Sequence, residues 1–207
     1  ATTEIYTLSL HDALPISYGF GPIVPNTVVL GAPVDETEGR FAELMQLIAR
    51  TRHNTLVVGA AGAEPPAAGG CVDIWWRGGG SNGGLMLAIA LLLRRNGYTA
   101  ARLRVNMIVD RRTREEAEAE LALYLKGVRV EAETRVLELG EGAFYDVIRA
   151  HSADAQLSFV GLRPPRDDEP AAAYGDYFAH LRSSLAGVPQ PIFTLAGENI
   201  DFRRIFD

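Results

Sequence analysis

The chain has 207 residues, 47% of them hydrophobic, and a formal net charge of −6. That length and composition fit a single globular domain with its own core, and the acidic balance gives no general attraction to nucleic acid or anionic lipid. One cysteine excludes an intrachain disulfide, which suits a cytosolic setting, and no stretch reads as a membrane-spanning helix or a signal peptide.

Residues 1–17, ATTEIYTLSLHDALPIS, are set apart. The run YTLSLHDALPI from Tyr6 to Ile16 reads as the conceptual translation of a sequencing adapter joined to a truncated gene. His11 and Asp12 are therefore left out of any catalytic reading, as for other processing scars. The remainder, 18–207, is read as one α/β domain.

Tyr18 to Asn26 is a turn-rich linker in which Pro22 and Pro25 limit helix. Thr27–Gly31 predicts a short buried strand. Glu38–Arg50 predicts an amphipathic helix, with Phe41, Leu44, Met45 and Ile48 on one face. Thr55–Ala60 predicts a second strand, and 61–70 is a small-residue loop.

The stretch from Cys71 to Asn96 is the organising unit. Cys71–Trp76 predicts a buried strand whose regular alternation sends Trp75 and Trp76 to opposite sheet faces. Gly78, Gly79 and Gly80 permit a sharp reversal. Ser81 or Asn82 is positioned to cap the following helix. From Leu85 to Leu93 that helix has almost no polar side, which predicts that protein surrounds it.

Arg102–Val109 predicts another strand, ended by Asp110. Thr113 and Glu116 have capping-box spacing. Ala117, Leu121, Leu125 and Val128 form the next helix's apolar stripe. Val130–Leu139 alternates with charges and predicts an edge strand. Ala143–Ser152 predicts a helix, Gln156–Leu162 a buried strand, Ala171–Leu185 a helix and Pro191–Ala196 a last strand. About seven strands alternate with five helices, which predicts a mainly parallel sheet covered by helices on both faces.

Gly78, Gly80 and Gly83 match G-x-G-x-x-G between a strand and a helix, the context of a dinucleotide fingerprint. Asp110 is the acid that would meet a ribose. Against this, five of the seven residues 78–84 are glycine, so the match arises easily, and Asp110 comes later than the usual spacing. A flexible turn is the alternative. There is no P-loop, no nucleophile elbow and no metal-ligand spacing among His53, His151 and His180. His151 reads as a histidine at the core's rim, Cys71 as a small buried hydrophobe, and Asp167 to Glu169 as a solvated turn. The residues by themselves name no catalytic group, no metal site and no cofactor.

Several segments together resemble the cytosolic C-terminal domain of cation–chloride cotransporters, especially prokaryotic members of permease type in the amino acid–polyamine–organocation superfamily. They are PNTVVLG at Pro25 to Gly31, DIWWRGGGSNGGLMLAIALLLRRN at Asp73 to Asn96, LRVNMIVD at Leu103 to Asp110, HSADAQLSFVGLRPP at His151 to Pro165 and ENIDFRRIF at Glu198 to Phe206. They stand in the family's order and span nearly everything after Tyr18. Gly78, Gly79 and Gly80 replace acidic residues common in that turn.

The resemblance implies a universal-stress-protein-like fold in two pseudo-symmetric halves, of which this chain is the later part. It implies a non-catalytic regulatory and dimerising domain on the cytoplasmic side of the cell membrane. Its partners would be its own membrane domain and a second copy. Full-length members carry chloride with sodium or potassium. Some bind nucleotide in this region. Two alternatives remain: a nucleotide- or dinucleotide-binding domain using residues 78–84, and a free-standing stress-type sensor.

Overall fold

The computed structural model describes residues 26–34, 37–60, 70–77, 81–97, 100–109, 113–139 and 143–198. The suspected leader 1–17, Gly78, Gly80, Asp110 and most of the terminal ENIDFRRIF segment lie outside them.

Seven strands form one sheet: β1 (Thr27–Gly31), β2 (Asn54–Val58), β3 (Cys71–Trp76), β4 (Arg102–Val109), β5 (Glu133–Glu138), β6 (Ala155–Gly161) and β7 (Pro191–Leu195). Five helices connect them: α1 (Glu38–Arg50), α2 (Asn82–Asn96), α3 (Arg114–Gly127), α4 (Phe144–His151) and α5 (Ala171–Ser184). The strand order is β1-β2-β7-β6-β3-β4-β5, with every pairing parallel except β2–β7. This is the mainly parallel α/β sheet that the alternating pattern predicts.

Strand alternation divides the core into two layers. On the front face Val72, Ile74, Leu103 and Val105 meet Met86, Leu87 and Ala90 of α2 and Leu121 and Leu125 of α3. On the back face Trp75, Val57, Val160 and Phe193 meet Met45 of α1, Ile148 of α4 and Phe178 of α5. Trp75 therefore lies in the back layer while Trp76 packs on the front, as their adjacency requires.

The two outer strands differ from the inner ones. β5 is an edge, as its charges indicate. β1 is the other edge, so the expectation of a buried strand there is corrected: Val29 is 63% exposed. A short run of apolar residues looks the same whether one or both of its sides are paired. The expectation for α2 also needs correcting. Its inner residues are fully covered, yet Leu92 is 53% exposed, because α2 lies on a sheet face with its outer side uncovered by any described residue.

The antiparallel β2–β7 pair is a local twofold axis. In one half, Gly31 is level with Val58 and the Ala32 N–H donates to the Val58 carbonyl at 2.8 Å. In the other, Gly161 is level with Thr194 and the Leu162 N–H donates to the Thr194 carbonyl at 2.8 Å. Placing Val58 on Thr194 carries the pair Leu56–Thr194 onto Ile192–Val58, which are also partners. The helices obey the same relation. α1 and α5 lie together on the back face, where Phe41 and Phe178 rings sit 4.6 Å apart and Arg182 donates to Glu38 at 2.8 Å. The unit β1-α1-β2 thus repeats β6-α5-β7.

Candidate functional site

Connections from β3 run outward through β4 to β5, and the chain then returns to place β6 on the other side of β3. Such a reversal leaves a crevice beyond the carboxyl ends of the two strands, the usual ligand position in open α/β sheets. A crevice of about 420 Å³ occupies this place, lined by Trp75, Arg77, Asn82, Gly83, Phe144, Tyr145, Ile148, Gly161, Arg163 and Tyr177 among others.

Asn82 fixes one wall. Its side-chain NH₂ donates to the Leu162 carbonyl at 2.7 Å, and its Oδ1 accepts from the Ala196 N–H at 2.8 Å. It thereby ties α2 to the ends of β6 and β7 and does not cap α2. Ser81 occupies the cap position and makes no side-chain cap bond, so neither residue caps as expected. Thr113 makes no side-chain cap bond either, which removes the predicted capping box from α3.

Of the three fingerprint glycines, Gly83 is the one that can be described. A Cβ there would stand 2.7 Å from the Trp76 ring, inside van der Waals contact. This glycine lets α2 lie against Trp76, the close helix–strand packing that the third glycine of such a fingerprint serves.

Arg163 closes another wall, and its charge is already matched. Its guanidinium donates to Glu169 at 2.8 and 2.5 Å and stacks over the Tyr177 ring, 4.2 Å from the centroid. The paired guanidinium holds the Glu169 carboxyl down at about 2, with smaller help from the Arg166 N–H. Tyr174 donates to the Arg163 carbonyl at 3.1 Å, and the Tyr177 hydroxyl accepts from the Arg163 N–H at 3.2 Å. Burial raises both phenols. The loop after β6 is therefore pinned, and Arg77 is an exposed cation of the crevice whose charge acts on the Tyr177 phenol.

The floor rests on a buried polar network absent from the sequence-based expectations. Asp73 and Arg104 are level on β3 and β4 and both are 0% exposed. Arg104 donates to Asp73 Oδ1 at 2.6 Å and Oδ2 at 2.9 Å, to Asp154 at 2.7 and 3.0 Å, and to the His151 carbonyl at 3.0 Å. Trp75 Nε1 donates to Ser152 Oγ at 2.9 Å, and that hydroxyl donates to Asp73 Oδ2 at 2.7 Å. One guanidinium thus joins two strands to the carboxyl end of α4, where a cation also favours the helix dipole. Hydrogen bonding to the carboxylates raises the Arg104 pKa against the opposing effect of burial, and the same contacts lower that of Asp154. The sequence did carry a signal: opposite charges near the middles of two successive apolar strands. Buried charges require partners.

The remaining candidates are dispersed. His151 is half-buried at the rim, contributing its carbonyl. His53 meets Thr51, and His180 meets the edge of Tyr145. Cys71 is fully buried, with its thiol pKa raised by that burial. No group of three His, Cys, Asp or Glu side chains suited to a metal occurs among the described residues. No described helix is long and apolar enough to cross a membrane.

No protein-family model and no curated protein matches the sequence. Among solved structures, the chain is similar to the crystal structure of the cytoplasmic domain of a prokaryotic cation chloride cotransporter. The TM-score is 0.66 at 16% identity, over 95% of this chain and 73% of that one. At that identity the likeness establishes a shared fold.

Proposed function

We propose that this chain is a regulatory domain of a cation–chloride cotransporter-like membrane protein, and that it acts through conformation and contact without catalysing a reaction. The observation that carries the reading is the likeness over nearly the whole chain to a domain of that kind. The order of the sequence segments that resemble such domains points the same way. The internal twofold adds support: the outer edge of β1, which no described strand covers, corresponds to the edge of β6 that β3 covers. An equivalent strand from an earlier part of the protein would complete that edge. Its partners are then its own membrane domain and a second copy of itself. Such a domain influences transport only if its contacts differ between transport states. Deleting it from the full-length protein should leave membrane insertion intact and change the rate of ion flux. Unchanged flux, with the protein still in the membrane, would refute the regulatory role.

A second reading has its own support. The switch-point crevice combines an exposed Arg77 with Phe144, Tyr145 and Tyr177, a lining suited to an anionic aromatic ligand such as a nucleotide. Titration with ATP and NAD distinguishes the two readings. Saturable binding abolished by Arg77→Ala would favour a nucleotide-binding domain.

A further inference from the structure

We infer that the outward stripe of α3 is a self-complementary contact through which two copies of this chain pair with their α3 helices antiparallel. This deepens the proposed reading of a self-associating domain and rests on it.

Leu123 is 70% exposed, more than any other large hydrophobic residue described. It is out of place on a helix whose inner side already supplies Ala117, Leu121 and Leu125 to the core. At 100° per residue, Glu116, Ala119, Leu123 and Lys126 lie on the opposite side, and all four are exposed. Their spacing is three, four, three, so it reads the same in both directions along the helix. An isologous contact requires that property.

Two α3 helices crossing antiparallel at the level of Leu121 bring Leu123 of each copy onto Ala119 of the other. A large side chain then meets a small one, twice. The same alignment sets Glu116 against Lys126, also twice. A parallel alignment would instead oppose Glu116 to Glu116 and Lys126 to Lys126. No described residue forms an ion pair with Glu116 or Lys126, so both charges are available. The acid precedes the base along the helix, so each also lies at the end its helix dipole favours. One helix pair buries less than a standard interface, so the association is concentration-dependent.

The test is sedimentation velocity on the full chain between 1 and 200 µM (roughly the range for so small an interface). The expected result is a monomer–dimer equilibrium that Leu123→Glu abolishes while circular dichroism is unchanged. Glu116→Lys and Lys126→Glu should each weaken the dimer about tenfold, since each removes two ion pairs. The double reversal should restore it. Orientation is read by crosslinking: a mixture of Ala119→Cys and Leu123→Cys chains should give the mixed disulfide in preference to either like pair, and buried Cys71 does not compete. A dimer that survives Leu123→Glu refutes this face and leaves self-association standing, with the outer edge of β1 as the next candidate. A monomer at every concentration refutes the face and self-association together. Preferential Leu123–Leu123 crosslinking refutes the antiparallel arrangement alone.

Discussion

Arg104 and Asp73 face each other on neighbouring strands with both side chains wholly shielded from solvent, joined by hydrogen bonds of 2.6 and 2.9 Å. Removing one member of such a pair leaves the other charged and buried, at a typical cost of about 3–5 kcal/mol. Arg104→Ala should lower unfolding stability by roughly that amount, measured by chemical denaturation. Asp154→Asn should cost clearly less, because the Asp154 side chain is 60% exposed and water screens its contact. Equal losses would mean that Arg104 is held mainly by the solvated carboxylate.

Ser152 relays a hydrogen bond between the Trp75 indole and Asp73. Ser152→Ala leaves the indole N–H unpaired and removes one donor from the carboxylate. The expected loss is about 1–3 kcal/mol, with a shift in tryptophan emission as the environment of Trp75 changes. Unaltered emission and stability would show that this relay is unimportant.

Gly83 lies directly against the Trp76 ring, where a Cβ would stand 2.7 Å from it. Gly83→Ala should destabilise the fold by about 1–3 kcal/mol through overpacking. Combining it with Trp76→Leu should recover part of the loss, because the clashing ring is gone. Independent, additive effects would contradict the steric explanation.

Asn106 is fully buried on β4, level with Trp75, and its amide has no hydrogen-bond partner among the described residues. A buried amide without partners is unfavourable. Asn106→Val, which suits a strand, should therefore be neutral or stabilising in thermal unfolding. A loss exceeding about 2 kcal/mol would show that the amide is satisfied in solution.

The Arg163–Glu169 pair makes stability depend on acid. The folded carboxyl titrates at about 2, below its ordinary value of 4.5. A depressed carboxyl contributes stability that is fully present above the unfolded value and is lost as pH falls through the folded one. Wild type should therefore exceed Glu169→Gln in unfolding midpoint near neutrality. That gap should close between about pH 4.5 and pH 2. A gap independent of pH would mean that the pair contributes no charge-dependent stability.

The layered sheet was legible because periodicity and turn residues report local structure directly. Trp75 and Trp76 are adjacent in sequence, and they take opposite faces of the sheet. Strand order was less accessible. Nothing local in TVVLG says that β1 stands at an edge, since the pairing partner is set by distant chain. The Asp73–Arg104 contact was hidden for a similar reason: each residue alone looks like a solvated charge, and their pairing appears only when β3 and β4 are placed in register. The crevice was half legible. The glycine-rich turn marked the end of β3, but the switch point depends on where β6 returns, and Arg163 and Tyr177 come together only then.

Membership of a membrane transporter, with a function exerted by coupling to it, is tested most directly at the genomic locus. The measurement is independent amplification and sequencing upstream of the Tyr18 codon. A transporter domain predicts codons in the same reading frame for a further stretch of cytosolic α/β domain and, before it, a series of membrane-spanning helices. A start codon just ahead of Tyr18, with no spanning segments in frame, would contradict this and leave a free-standing sensor.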